Sequence, residues 1–367
     1  MKHRFKLVSI AVLMITASLG LTSCQLGRFV FYNFADINDH KKFPSRPLTA
    51  NPSPFSFQTT EAGKFPKELN GIAFDKYLED NKTVAFLIIQ NDTIQYEKYF
   101  KGYDQKSIVP SFSMAKAFTS ILIGCAIDDG FIKSVDEPIT NYIPELTKNG
   151  FNKVTIKHLL QMTSGIKFNE SYVNPFGDAA SFYYGRNLRR EIGKMKLKSE
   201  PGKKFAYASG NTQLLGLVLE RSLKDNSITA YLQQKIWTPL GMEHDASWSI
   251  DRKNNGLEKT FCCLNARARD FAKLGRLYKN KGNWNGEQIV SPSWVEASTK
   301  LDTANGSASF YQYQWWLPTP EEDFMAEGIL GQFVYVHPTK DLIIVRLGKK
   351  HGKADWWSIF TSLASAY

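Results

Sequence analysis

Histidine and cysteine are scarce in this chain: six of the first and four of the second in 367 residues. No His-Glu-x-x-His or other tight metal pair occurs, so no protein-held metal is expected, and nothing calls for a cofactor. Gly-x-Ser-x-Gly is absent, which argues against the strand-to-helix nucleophile elbow of an α/β-hydrolase. No phosphate-binding loop, internal repeat or low-complexity tract is evident. Cys-x-x-Cys is missing too. Cys125 falls in an apolar helical run and reads as inert core, while the adjacent Cys262 and Cys263 are not expected to pair with each other. A disulfide framework is therefore not expected. His158 and His244 stand beside apolar or turn residues and read as structural.

Acid is in deficit. Lys and Arg number 46 against 35 Asp and Glu, a net charge of +11. Three of those positive charges (Lys2, Arg4 and Lys6) precede an apolar stretch from Leu7 to Leu21 that is short for a bilayer span. Leu21-Thr22-Ser23-Cys24 follows, resembling a bacterial lipobox. The expectation is an export signal over 1–23, lipid attachment at Cys24 and a membrane-anchored protein on the periplasmic face of the envelope. The alternative is an ordinary signal peptide with an incidental cysteine. Residues 24–65, rich in proline, read as a tether and wrap over the folded body. Eight basic residues against two acids between Gly185 and Lys204 read as a rim attracting anionic substrates, as a solvated face or as a contact with anionic lipid headgroups. No nucleic-acid module accompanies the charge.

What stands out is Ser113-Met114-Ala115-Lys116. Residues three apart on a helix lie one turn from each other on one face, and a neutral amine beside a serine hydroxyl can take its proton. A second Ser-x-x-Lys, Ser164 to Lys167, follows a turn-like Thr-Ser-Gly and would end a helix rather than begin one. Ser113 instead opens an apolar run, where free backbone N–H groups and the helix dipole favour developing negative charge. The competing reading is a capping serine followed by a snorkelling lysine. Tyr207, in Tyr207-Ala208-Ser209, sits at a corner before another helical stretch and can present its phenol to a cleft. Gly328 and Gly331 flank a strand, where a ligand can approach the backbone closely. Tyr311 to Leu317 is an aromatic cluster that reads as core or as the lining of an acyl pocket.

These motifs, with Asp128-Asp129-Gly130, His158 to Ile166 and Arg267 to Gly275, resemble the serine β-lactamase and penicillin-binding protein superfamily from about Ala73 onward. The nearest likeness is to its class C-like branch, near family VIII esterases and 6-aminohexanoate-dimer hydrolases. The resemblance implies Ser113 as nucleophile, Lys116 as its base and Tyr207 as proton shuttle. It also implies an oxyanion hole from the backbone of Ser113 and Ile329, with Ser209, Gly328 and Trp316 near the substrate. Relatives that hydrolyse β-lactams carry a basic residue where this chain has Ala326, and Glu327 follows, which argues against antibiotic hydrolysis. A small-molecule or peptide-like amide or ester is the implied substrate. A β-lactamase, a peptidoglycan D,D-peptidase and a non-catalytic envelope binding protein are the alternatives.

Periodicity predicts hairpins over 84–100 and 333–347, with helices between them over 113–129, 156–161, 212–223, 230–237, 266–279 and 292–299, and a closing helix near 355–364. The fold class expected is α/β (α+β) and β-lactamase/transpeptidase-like. An antiparallel sheet from both chain ends (about 66–112 and 300–367) would be flanked by helices, with a mostly helical region (113–299) inserted. The sequence carries no signal of oligomeric state.

Overall fold

The computed structural model describes Arg28, Tyr32 and residues 34–367 apart from Asp225. The expected signal 1–23 and Cys24 lie outside the described residues. Strands β1 (Thr83–Gln90) and β2 (Thr93–Tyr99) form a hairpin through Asn91 and Asp92. Both turn residues take positive φ, 50° and 56°, as a two-residue type I′ turn requires. The C-terminal part supplies β3 (Phe324–Gly328), β4 (Gln332–His337) and β5 (Leu342–Gly348), and β5 pairs antiparallel with β1. The two ends of the folded chain are thereby stitched into one eight-stranded sheet. Tyr311–Gln312 and Trp315–Trp316 extend its β3 edge, and Gln58–Thr59 joins β2 in parallel at the other.

β1 and β5 are apolar along almost their whole length instead of alternating, because both faces of the sheet are covered. Four helices organise what surrounds them: α1 (Ala115–Asp128), α2 (Ser209–Ser222), α3 (Ala268–Lys279) and α4 (Trp356–Ser365). Leu87, Ile89, Ile343 and Val345 face the main core with Phe118 and Ile121 of α1 and Phe271 and Leu274 of α3. Phe86, Ile88, Leu342 and Ile344 point the other way, onto Phe360 and Leu363 of α4 and onto the helix Phe74–Asp80. α1 is buried on every side through Ala126, which explains why its sequence lacks a polar stripe.

The fold class is the one expected, with three differences. A second, four-stranded sheet (Ser45–Leu48, Ala246–Ser249, Leu264–Ala266, Val109–Pro110, in that order) was not expected, and its two central strands lie in the region expected to be helical. Strands of two to four residues are too short to show a period. Helices Asp178–Tyr184 and Leu188–Gly193 were likewise not expected. Finally, Cys262 and Cys263 are joined by a disulfide, against expectation. Cys263 adopts a left-handed backbone (φ 71°), which breaks the alternation that would point neighbouring side chains apart. Cys125 is a buried free thiol, as expected.

Candidate active site

Ser113 stands where the two sheets and α1 meet. The backbone of Ser111 is tied to Leu264 in the small sheet, N to O at 2.7 Å, and the Leu264 N–H in turn donates to Ser111 Oγ. Phe112 then takes a left-handed conformation (φ 45°), a strained choice for an aromatic residue that the surrounding packing maintains. Ser113 follows in the short 3₁₀ turn Phe112–Met114, which runs directly into α1. Its side chain is half-buried.

Lys116, one turn on, is 1 % exposed. Its Nζ lies 2.9 Å from Ser113 Oγ, 3.2 Å from Ser209 Oγ and 3.0 Å from the carbonyl oxygen of Phe261. The ammonium also sits over the Tyr207 ring, 5.1 Å from its centroid. Burial pulls the Lys116 pKa down to about 8, against a smaller upward pull from Glu170. A large fraction of the amine is therefore neutral near pH 8 and able to accept the serine proton.

Glu170, which no local pattern marks, anchors the arrangement from the far side. Its Oε2 accepts from the Ser209 backbone N–H at 2.7 Å, and its Oε1 accepts from Ser209 Oγ (2.5 Å) and Tyr172 OH (2.7 Å). Ser113, Lys116, Ser209 and Glu170 thus form one continuous polar chain ending on a carboxylate.

Tyr207 closes the site over Ser113, with which its hydroxyl interacts. Burial, and the neighbouring Glu170 carboxylate, hold the phenol well above its ordinary pKa. At neutral pH the hydroxyl therefore keeps its proton and can donate it. The ring stacks on Trp316 at 5.5 Å, and Trp316 meets Trp357 edge-on at 5.6 Å. The aromatic cluster expected between Tyr311 and Leu317 therefore packs into the core and also walls the Tyr207 side.

Gly328, the last residue of β3, lies against the backbone of residues 111–113, and Ile329 borders the same cavity as Ser113. The turn beyond is held by buried Arg346, which donates to the carbonyls of Gly331 (2.5 Å) and Asn81 (2.7 Å) and sits over the Trp356 ring, 3.9 Å from its centroid. Neither Arg346 nor the Phe261 carbonyl was foreseen. Ala326 is buried, and Glu327 accepts from Trp357 Nε1 at 3.0 Å, its pKa raised by burial. A cavity of about 270 Å³ opens beside Ser113 and Ser209, bordered by Cys262 of the disulfide. None of the basic residues from Arg186 to Lys204 lines it. Arg189 pairs with Glu220 and Lys194 with Glu191.

Other motif residues are structural. His158 completes a capping box with Thr155, and His244 lies 3.5 Å from Asp270. Asp129 accepts from Tyr231 and Lys235. Ser164, of the second Ser-x-x-Lys, is buried against Asn211.

Residues 73–356 match the Beta-lactamase family, and the chain belongs to it. It is 28% identical over 294 residues to the 6-aminohexanoate-dimer hydrolase of Paenarthrobacter ureafaciens, a match spanning 74% of each chain. To Protein flp of Staphylococcus aureus (strain N315) it is 30% identical over 184 residues, 46% of this chain and 36% of that longer one. Among solved structures, a Bacillus anthracis protein provisionally assigned as a 6-aminohexanoate-dimer hydrolase superposes with TM-score 0.79 at 24% identity, covering 94% and 95% of the two chains. A family VIII carboxylesterase gives 0.63 at 17%, covering 80% and 95%. These likenesses in structure show the fold. The family match and the sequence relatives make the chain a serine hydrolase of the amidase or esterase type.

Proposed function

We propose that the protein hydrolyses an amide or ester through an acyl-enzyme on Ser113. Ser113 Oγ attacks the carbonyl carbon while its proton passes to Lys116. The resulting oxyanion is held by the backbone N–H groups of Ser113 and Ile329. On collapse, the C–N or C–O bond breaks and the proton travels from Lys116 through the Tyr207 hydroxyl to the leaving atom. Water then attacks the ester by the reverse route, freeing the acid and restoring Ser113. The observation that carries this reading is the fully buried Lys116 amine at 2.9 Å from Ser113 Oγ. Ser209 and Glu170 steady the lysine in its transient charged form.

The relatives' names point to a linear amide and a carboxylic ester as substrates. Glu327 and the uncharged Ala326 disfavour the carboxylate of a β-lactam. Ser113→Ala, assayed on p-nitrophenyl butyrate, should fold normally and lose turnover, and retained activity would falsify the assignment. A parallel assay with a chromogenic cephalosporin, a D-Ala-D-Ala peptide and a linear amide separates the substrate classes. We also propose export with lipid attachment at Cys24. Labelled palmitate should enter the wild type and not Cys24→Ser.

A further inference from the structure

We propose that the cavity beside Ser113 is the acyl pocket and that it takes an uncharged aliphatic acyl chain, rejecting acyl groups that end in an ammonium. The inference rests on the Ser113 acyl-enzyme reading and adds the substrate class.

The side of the site comes first. Tyr207 delivers the proton to the leaving atom, so the leaving group lies toward Tyr207 and Trp316. Neither of these borders the cavity, whereas Ser113 and Ile329 both do. A carbonyl seated between those two backbones directs its acyl substituent into the cavity.

The chemistry of the walls comes second. Ala179, Ala180, Tyr183, Phe261, Val173 and Phe34 are among the residues that line it, and none of the lining residues is charged. The tyrosine hydroxyls are turned to other partners: Tyr183 OH donates to Asp39 at 2.6 Å and Tyr172 OH to Glu170. Both rings border the cavity. Charges of both signs lie behind the wall: Glu170 accepts from Tyr172 and Ser209, and burial draws the Lys259 pKa down to about 7. Lys259 Nζ donates to the carbonyls of Phe182 and Tyr183, each at 2.9 Å, and Arg28 donates to the Tyr184 carbonyl at 2.7 Å. Asp39 is held by Tyr183 and Lys42. An ammonium entering this space would lose its water and find no carboxylate on the lining. Small residues at 179 and 180 make the room, and exposed Phe34 and Val173 extend the apolar surface to the mouth.

The test uses the full chain and four acyl groups (acetyl, butyryl, hexanoyl and 6-aminohexanoyl), each presented as p-nitrophenyl ester and as p-nitroanilide. Hexanoyl should exceed both acetyl and 6-aminohexanoyl in kcat/KM by about tenfold or more, the scale on which an apolar pocket discriminates. Ala180→Phe should lower hexanoyl turnover more than acetyl. Val173→Glu, at an exposed position that does not threaten folding, should narrow the gap between hexanoyl and 6-aminohexanoyl. Equal rates for hexanoyl and acetyl, or a preference for 6-aminohexanoyl, would overturn the pocket inference while leaving the acyl-enzyme intact. No turnover of any member, or turnover surviving Ser113→Ala, would overturn the acyl-enzyme reading itself.

Discussion

Gly328 stands against the backbone of Ser113 so closely that a β-carbon on it would lie 3.1 Å from Ser113 N and 2.5 Å from Ser111 O. The last residue of β3 is therefore glycine for reasons of contact, because its φ is not in the left-handed region. Gly328→Ala should push the strand end away from Ser113 and open the gap between the Ser113 and Ile329 N–H groups. A fall in kcat of roughly 100-fold or more is expected, the cost of a displaced oxyanion donor. Circular dichroism should report an unchanged fold, and an unaltered kcat would count against the oxyanion assignment.

Lys116 makes the rate and the stability depend on pH in linked ways. With a folded pKa of about 8, kcat/KM should rise with pH and level off above that value if the neutral amine is the base proposed above. An unfolded lysine titrates near about 10.4. Between these values the unfolded chain binds more protons than the folded one, so this residue makes stability increase as pH rises through that window. Below it, the penalty for burying the charge is present in full. Lys116→Met should therefore lose roughly 10²–10⁴ in rate without losing Tm at pH 7. Parallel pH–rate profiles and thermal melts test both halves.

Glu170 attracts the charged form of Lys116, so its removal has a signed consequence. Glu170→Gln should drive the lysine pKa further down and move the acidic limb of the rate profile to lower pH. The maximal rate should fall too, because Ser209 loses its charged acceptor. A limb that stays in place or moves upward would separate Glu170 from the catalytic chain.

The Cys262–Cys263 disulfide lies between Phe261, whose carbonyl accepts from Lys116, and Leu264, which pairs with Ser111. Reduction by a dithiol, two electrons and two protons yielding two thiols, should loosen that carbonyl and lower kcat severalfold. The double variant Cys262→Ser/Cys263→Ser should match the reduced protein. Tm should change little, because a loop of adjacent residues removes little entropy from the unfolded chain. Mass spectrometry verifies the reduction, and full activity in the dithiol form would refute the link.

Much of the site was legible before any coordinates. Ser113 and Lys116 are bound by helical spacing, a local property, and the apolar run after them marks a buried helix. The Asn91-Asp92 turn announces its hairpin because two consecutive positive φ values suit few other residues. Glu170, the Phe261 carbonyl and Arg346 were illegible for one common reason. Each meets its partner across a long stretch of chain: Glu170 and Ser209 are 39 residues apart, Lys116 and Phe261 145. Such pairs leave no period to read. The small sheet escaped notice because its strands are shorter than one full alternation pattern.

By itself, then, the sequence determined the local chemistry: a hydroxyl and an amine one helical turn apart, a phenol at a corner, and apolar runs that must be buried on both faces. Tertiary structure alone decided what those groups are worth. Folding takes Lys116 out of water, sets Glu170 behind Ser209, and leaves a cavity with no charged lining residue on one side of Ser113. Desolvation and charge proximity depend on distances between segments remote in sequence, and those distances exist only once the two ends of the chain are joined in one sheet.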